Sequence, residues 1–416
     1  MVHIKIISDK YSNPHFSIMQ IVIFVGSIFE NNKEKGISHF IEHLIFKGSK
    51  YNENIKNLTD SLNSNGMSIN AYTNNYTTVF HITTPTKFIK KAIETLIEIV
   101  FNPLFRNIDI DNERKVVINE LIQKLNTPEK YSLIKSFEKI FSKKNPLHYS
   151  VIGYKDILEK ITHDDIENYY NKYYNESNTL FLGIVNLKNK SYIKKLWNNA
   201  YKKYGNKLVK NQHQHISTKD LYKTLKNDLM LKNNPKKYVL SSAFPHLKSS
   251  HIKITYNLPN MTSKEYCALD IFSNYLTSSL SSILYDELRE KRQLIYSISS
   301  YIYQISNNFL FSFVFNCKKD TARINKCIFI ITKILKSFYK NGITSKEFNK
   351  FKIKSISDYE YHHDRTQDEI NNYIRMYYMN LPKINYMKCY TSITNSFLKK
   401  TVCNKLKSSK KFIFIV

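Results

Sequence analysis

At 416 residues the chain is too long for one typical domain and comfortable for two of about 200 each. Its 42% hydrophobic and 14% aromatic content supplies ample cores, so a globular protein is expected rather than a disordered one. The net charge of +29 accompanies abundant Lys, Asn, Ile and Tyr and only 8 Gly, 9 Pro and 1 Trp. That is the signature of A/T-rich codons, so the lysine excess reads as a solvated surface and nucleic acid as an unlikely partner.

In chain order the pattern is α+β written twice. A strand-like alternation opens at Val2–Ile7, and a strand follows at about Ile18–Val25, too short and interrupted to span a bilayer. Helices are predicted over about Ile37–Phe46 and Ile55–Asn63, alternating strands over Met67–Thr73 and Thr77–Thr83, and an apolar helix over Lys87–Val100. After Asn102-Pro103 a long helix runs from about Asp109 to Leu125, with Asp109, Asp111 and Glu113 in its first turns, where the helix dipole favours them. The order then repeats. A strand spans His251–Asn257, a helix Ser263–Leu276, strands Tyr296–Gln304 and Phe309–Cys317, and a helix Ala322–Tyr339. A break at Asn341-Gly342 precedes a capping-box start at Thr344-Ser345-Lys346-Glu347. The expected domains are 1–205 and 238–416, joined by a polar, lysine-rich connection over 206–237. Two homologous α/β-sandwich halves follow, each a mostly antiparallel sheet covered by helices.

The five cysteines (Cys267, Cys317, Cys327, Cys389, Cys403) are scattered and odd in number, which argues for a reducing compartment over a disulfide framework. With no signal-like or presequence-like opening and no spanning run, the expected location is cytoplasmic, without membrane contact.

One stretch carries chemistry. His39-Phe40-Ile41-Glu42-His43 is an H-x-x-E-H sequence on a predicted helix. His39 and His43, at i and i+4, project from one face and can fill two tetrahedral positions on Zn²⁺. Glu42 borders that face, able to reach a water there without ligating the metal; this order of residues is that of inverzincins. One protein ligand is then missing. The helix around Asn112–Leu121 offers Glu113 and Glu120 at i and i+7, on one face, although two such glutamates alone are ordinary surface residues.

Gly36-Ile37-Ser38-His39-Phe40-Ile41-Glu42-His43-Leu44-Ile45-Phe46-Lys47-Gly48-Ser49 resembles the signature of the insulinase/pitrilysin family of zinc peptidases, which includes the mitochondrial processing peptidase and short bacterial two-domain members. The resemblance implies a third ligand about 77 residues beyond the second histidine, which is Glu120, and an orienting glutamate seven residues earlier, which is Glu113. It extends to Asn70-Ala71-Tyr72-Thr73 after Gly66, a strand to which substrate would add, and to Asn102-Pro103-Leu104-Phe105 and Asn178–Asn186. In the second half, Leu288-Arg289-Glu290-Lys291-Arg292-Gln293-Leu294-Ile295-Tyr296-Ser297 resembles the family's L-R-E-x-R-G-L-A-Y-S segment. Arg289 and Tyr296 fall at its substrate-binding positions, while Gln293 and Ile295 replace a glycine and a small residue.

What the resemblance implies is a zinc metalloendopeptidase with one Zn²⁺ per chain, held by His39, His43 and Glu120. Glu42 would be the general base, with Tyr296 and Arg289 assisting and Glu113 orienting a histidine. The substrate would be a peptide or unfolded polypeptide segment bound beside Asn70 and Ala71. The family's four-domain shell implies a homodimer or a heterodimer with a related subunit. Alternatives are a presequence or polyprotein processing subunit and a catalytically silent structural subunit of the same fold. Other candidates read as ordinary: His362-His363-Asp364 as solvated helix residues, His213 and His215 as part of the connection, and Tyr173-Tyr174 as core.

Overall fold

The computed structural model describes residues 2–8, 15–53, 55–185, 190–205, 237–259, 261–305, 308–362, 365–378 and 383–416. The chain divides into two compact units, Met1–Leu125 with Lys143–His215, and Asn126–Ser142 with Ile216–Val416. Of the expected connection over 206–237, residues 206–236, with His213 and His215, lie outside the described residues, as do Asn186, His363 and Asp364.

The first unit is built on β1 (His3–Ser8), β2 (Phe16–Ile23), β3 (Ser68–Thr73), β4 (Thr78–Pro85) and β5 (Thr179–Val185), in the sheet order β1-β5-β2-β4-β3. Only β1 and β5 pair in parallel; the other pairs are antiparallel. The central strand β2 is rich in β-branched residues, and Met19, Ile21, Val22 and Ile23 are all buried, as expected of a strand covered on both faces. The helices are α1 (Ile37–Ile45), α2 (Ile55–Asn63), α3 (Ile89–Phe101), α4 (Asn107–Leu125), α6 (Lys155–Leu158), α7 (His163–Tyr173) and α8 (Lys190–Tyr204). α3 packs on β2, β4 and α8, while α1 packs on β3, β4, α4 and α7. One hydrophobic core runs through the unit; Tyr174 is fully buried within it, and Tyr173 packs at its margin.

The second unit repeats this plan. Its strands β6 (Lys237–Val239), β7 (Ser249–Pro259), β8 (Ile298–Ile305), β9 (Asn308–Lys318) and β10 (Lys410–Ile415) take the order β6-β10-β7-β9-β8, again with one parallel pair at the β6 edge. Strand for strand this is the topology of the first sheet, with its own core. Helices cover Ser263–Thr277, Thr321–Asn341 and Ser345–His362. The last starts at the expected capping box, in which Glu347 accepts the Thr344 N–H and the Thr344 hydroxyl accepts the Glu347 N–H.

One segment departs from the simple halves. The sequence reading places residues 1–205 together, whereas Asn126–Ser142 groups with the second unit. There α5 (Pro128–Ile140) packs on β7 and β10. Its buried positions Ser132, Ser136 and Ile140 recur every four residues and are mostly small, so the helix lies close to the sheet. The Lys253 ammonium donates to Ser136 Oγ at 2.8 Å, and Phe137 meets Tyr303 edge to face at 5.5 Å. No described helix is long and apolar enough to cross a membrane.

Candidate metal centre

Helix α1 buries Ile37, Phe40, Ile41, Leu44 and Ile45, the i, i+3, i+4 pattern of a core-facing stripe. Each such side chain contributes about 1.5–3 kcal/mol by leaving water, which pins the helix in one rotational setting and turns His39, Glu42 and His43 toward its other flank. The helix start is anchored from outside itself. Glu30 accepts the N–H groups of Gly36 at 2.9 Å and Ser38 at 3.0 Å, and the Ser38 hydroxyl pairs with the Tyr169 hydroxyl at 2.8 Å. Gly36 has φ 100°, and a Cβ there would stand 2.8 Å from Gly153 Cα, so the two glycines let the chain approach the helix end at backbone distance.

Glu113 and Glu120 come from α4, whose buried stripe is Ile110, Glu113, Val117 and Leu121. Packing of α4 on α1 brings Glu120 Oε2 to 3.6 Å from His39 Nε2 and 3.5 Å from His43 Nε2. These separations are long for hydrogen bonds. They match the edge of a tetrahedron of donors about 2.0–2.1 Å from a shared ion, roughly 3.3 Å. All three ligand atoms lie within 4.8 Å of one another, and among the described residues this is the one group of three or more His, Cys, Asp or Glu so placed. The donor set of two imidazoles and one carboxylate fits Zn²⁺.

The electrostatics agree. Burial, with help from neighbouring His43, pushes His39 down to about 3, so it is neutral and free to donate its lone pair. Burial also works against a charge on His43, but the Glu113 and Glu120 carboxylates outweigh it and raise the group to about 9. The site therefore attracts one positive charge in the position where a cation would bind. Glu120 is held down to about 2, chiefly by His43, with Lys124 adding to the effect.

His43 Nδ1 donates to Glu113 Oε1 at 2.8 Å, and Lys47 pairs with the other oxygen of Glu113. That bond leaves His43 Nε2 as the metal-facing nitrogen. His39 has no such support; its Nδ1 is buried without a hydrogen-bond partner. Glu42 stands apart from the ligand trio, nearly buried, and Thr73 Oγ1 donates to its Oε2 at 2.6 Å. Burial raises the Glu42 carboxyl above its usual range, against the pull of Thr73.

Thr73 ends β3, the strand that carries Asn70 and Ala71. β3 is last in its sheet and pairs only with β4, with Asn70 opposite His81 and Ala71 opposite Phe80. Among the described strands β3 therefore ends the sheet beside Glu42, with the Ala71 N–H donating to Asn70 Oδ1 at 2.8 Å. Arg289 and Tyr296 lie in the second unit and pair with each other. The guanidinium sits 4.8 Å from the centre of the Tyr296 ring and 4.9 Å from that of Tyr285. Arg289 lies on a π-helical turn, Asp286–Glu290, and Tyr296 is 77% exposed, which leaves its hydroxyl open to a ligand. Gln293, standing where the resembling segment has glycine, is the one described non-glycine residue at positive φ, 49°.

Sequence reasoning missed Lys47, Lys124, Glu30 and Gly153, and assigned no role to Thr73. Lys124 at i+4 from Glu120 was open to a helix-pair argument. Gly153 meets Lys35 and Gly36 from far along the chain, where no local signal marks it, whereas Glu30 lies near Gly36 and Ser38 in sequence but in a loop without a repeating pattern.

Two family models match the chain, "Insulinase (Peptidase family M16)" over residues 5–155 and "Peptidase M16 inactive domain" over 160–354. An "uncharacterized zinc protease" of Rickettsia felis is 24% identical over 319 residues, covering 76% of this chain and 72% of the relative. The mitochondrial-processing peptidase subunit beta of Caenorhabditis elegans is 29% identical over 154 residues, 37% of this chain and 33% of that one. Among solved structures, a protease from Helicobacter pylori superposes with a TM-score of 0.82 at 21% identity, covering 99% of this chain and 96% of that chain.

Proposed function

The chain belongs to the insulinase family, peptidase family M16, and from that premise we propose that it is a zinc-dependent endopeptidase acting on peptides or unfolded polypeptide segments. The observation that carries the reading is the trio His39, His43 and Glu120, whose candidate ligand atoms lie within 4.8 Å of one another, together with the nearly buried carboxylate of Glu42 on the same helix. Zinc, when bound there, supplies the Lewis acidity that brings the pKa of a water molecule from about 15.7 to roughly 7.

The chain's own residues do the rest. Glu42 accepts the proton of the attacking water, and its raised pKa suits it to hold that proton and return it to the leaving amine. Thr73 keeps the receiving oxygen aimed. Glu113, braced by Lys47, holds His43 in one tautomer. The β3 edge at Asn70 and Ala71 offers backbone groups to which an extended peptide can add as a strand, the Ala71 N–H exchanging its 2.8 Å bond to Asn70 Oδ1 for one to the peptide. Tyr296 as a donor to the developing oxyanion and Arg289 as a ligand for a substrate carbonyl or carboxylate complete the assignment.

The names of relatives such as a processing peptidase "subunit beta" support a dimer, with itself or a related chain, and sedimentation mass reads it out. The five free cysteines support a reducing, cytoplasmic location. The deciding experiment runs wild type and Glu42→Gln against a library of unstructured peptides. Cleavage by wild type alone, abolished by a chelator and restored by zinc, is expected. Zinc binding with no cleavage in any oligomeric state would move the chain to the silent structural class.

A further inference from the structure

Lys124 lies one turn beyond Glu120 on α4, and its ammonium is 2.7 Å from Glu120 Oε1, the oxygen turned away from the histidines. A fixed cation against a metal ligand weakens that ligand's hold on the metal, so as a structural element it works against the centre. Its charge also reaches His39 and Glu42. The carboxylates around the centre are all engaged: Glu42 by Thr73, Glu113 by His43 and Lys47, and Glu120 by the histidines and Lys124. Three carboxylates against two ammonium groups and a divalent ion leave a net positive charge. Of the two lysines, Lys47 is bound to the nearly buried Glu113. Lys124 is no more exposed than Lys47, both being about a third open, but its partner Glu120 is as open as itself. Lys124 can therefore turn N–H groups toward a ligand at the metal.

We propose that Lys124 is a specificity residue that selects peptides carrying a carboxylate next to the bond held at the metal centre. That carboxylate can be an Asp or Glu side chain or the C-terminus of a short peptide; the chemistry is the same. The proposal rests on the peptidase reading for its substrate class, but its test does not depend on turnover. An ion pair at a partly exposed site is worth up to about five-fold in affinity.

The test uses zinc-loaded Glu42→Gln protein and fluorescein-labelled peptides of one neutral sequence in four forms: C-terminally amidated, free acid, amidated with Asp at each position in turn, and amidated with Lys in the same positions. Anisotropy gives each Kd. A carboxylate-bearing form is expected to bind about five-fold tighter than the neutral amide, and the free-acid and Asp arms tell which source is read. Adding Lys124→Gln should erase that advantage, and Lys124→Glu should pass it to the Lys peptide. No carboxylate advantage, or one that survives Lys124→Gln, overturns the proposal. Turnover by wild type tests the other reading separately. Discrimination by the Glu42→Gln protein without any wild-type cleavage would sink the peptidase and leave the specificity residue standing.

Discussion

Replacing Glu113 with Gln or Ala probes the least exposed part of the candidate metal centre. The His43 Nδ1–Glu113 bond is 2.8 Å and the carboxylate side chain is only 6% exposed, so the pair is screened little by solvent. Orienting carboxylates behind metal-bound histidines are worth about 10- to 100-fold in affinity, or roughly 1.4–2.7 kcal/mol. Gln at 113 can still accept the Nδ1–H but carries no charge and leaves Lys47 facing a neutral amide; the expected loss is about 10-fold. Ala at 113 removes the acceptor as well, and the expected loss approaches 100-fold. Zinc affinity would be measured by competition with a chromophoric chelator at pH 7.5, with thermal melts of the zinc-free proteins run alongside. A fold intact by melting, with zinc Kd in both variants within two-fold of wild type, would refute the orienting role.

Four further outcomes are expected. Lys253 is pushed down to about 7 by burial, so between pH 7 and its ordinary value of 10.5 the native state lacks a proton that the unfolded chain holds, and stability must rise with pH across that window. Urea unfolding at pH 7.5 and 9.5 should show an increase of a few kcal/mol in wild type and a flat response in Lys253→Met; equal slopes would reject the buried-ammonium account. Gly153→Ala should weaken zinc binding without touching the centre, because its Cβ would fall 2.3 Å from Lys35 O at the start of α1. Gly66→Ala, whose Cβ would meet nothing closer than 3.5 Å, should cost only the left-handed backbone term of about 1 kcal/mol. Gln293→Gly should stabilise the second unit by about 1 kcal/mol in denaturant titrations, since Gln pays for a φ of 49° that glycine adopts freely.

The elements that sequence periodicity found are those whose information is local. The α1 stripe repeats every three to four residues, and the expected span Ile37–Phe46 is observed as Ile37–Ile45. The expected long helix Asp109–Leu125 starts two residues earlier, at Asn107, where the Arg106–Asp109 pair supports its first turn. Alternation likewise located β3, β4, β8 and β9 to within two residues. The parallel β1–β5 pair was not visible, because His3 and its partner Leu180 lie 177 positions apart and no local pattern records a pairing at that distance. The same holds for α5, whose serines and lysines resemble a solvated helix until Lys253 and Tyr303 are placed against them.

For the centre itself, spacing alone put His39 and His43 on one helical face, since a turn of α-helix is a covalent ruler. It also marked Glu42 as the neighbour that does not ligate. Glu113 and Glu120 shared a face of another helix, but their role came only from resemblance. Tertiary structure decided that this face meets the histidines, because the angle between α1 and α4 is set by which apolar side chains interlock, not by either helix's own sequence. It decided equally that Thr73 reaches Glu42 and that Lys47 braces Glu113. Those contacts join residues whose positions depend on the packed core, and a short-range pattern carries no record of them.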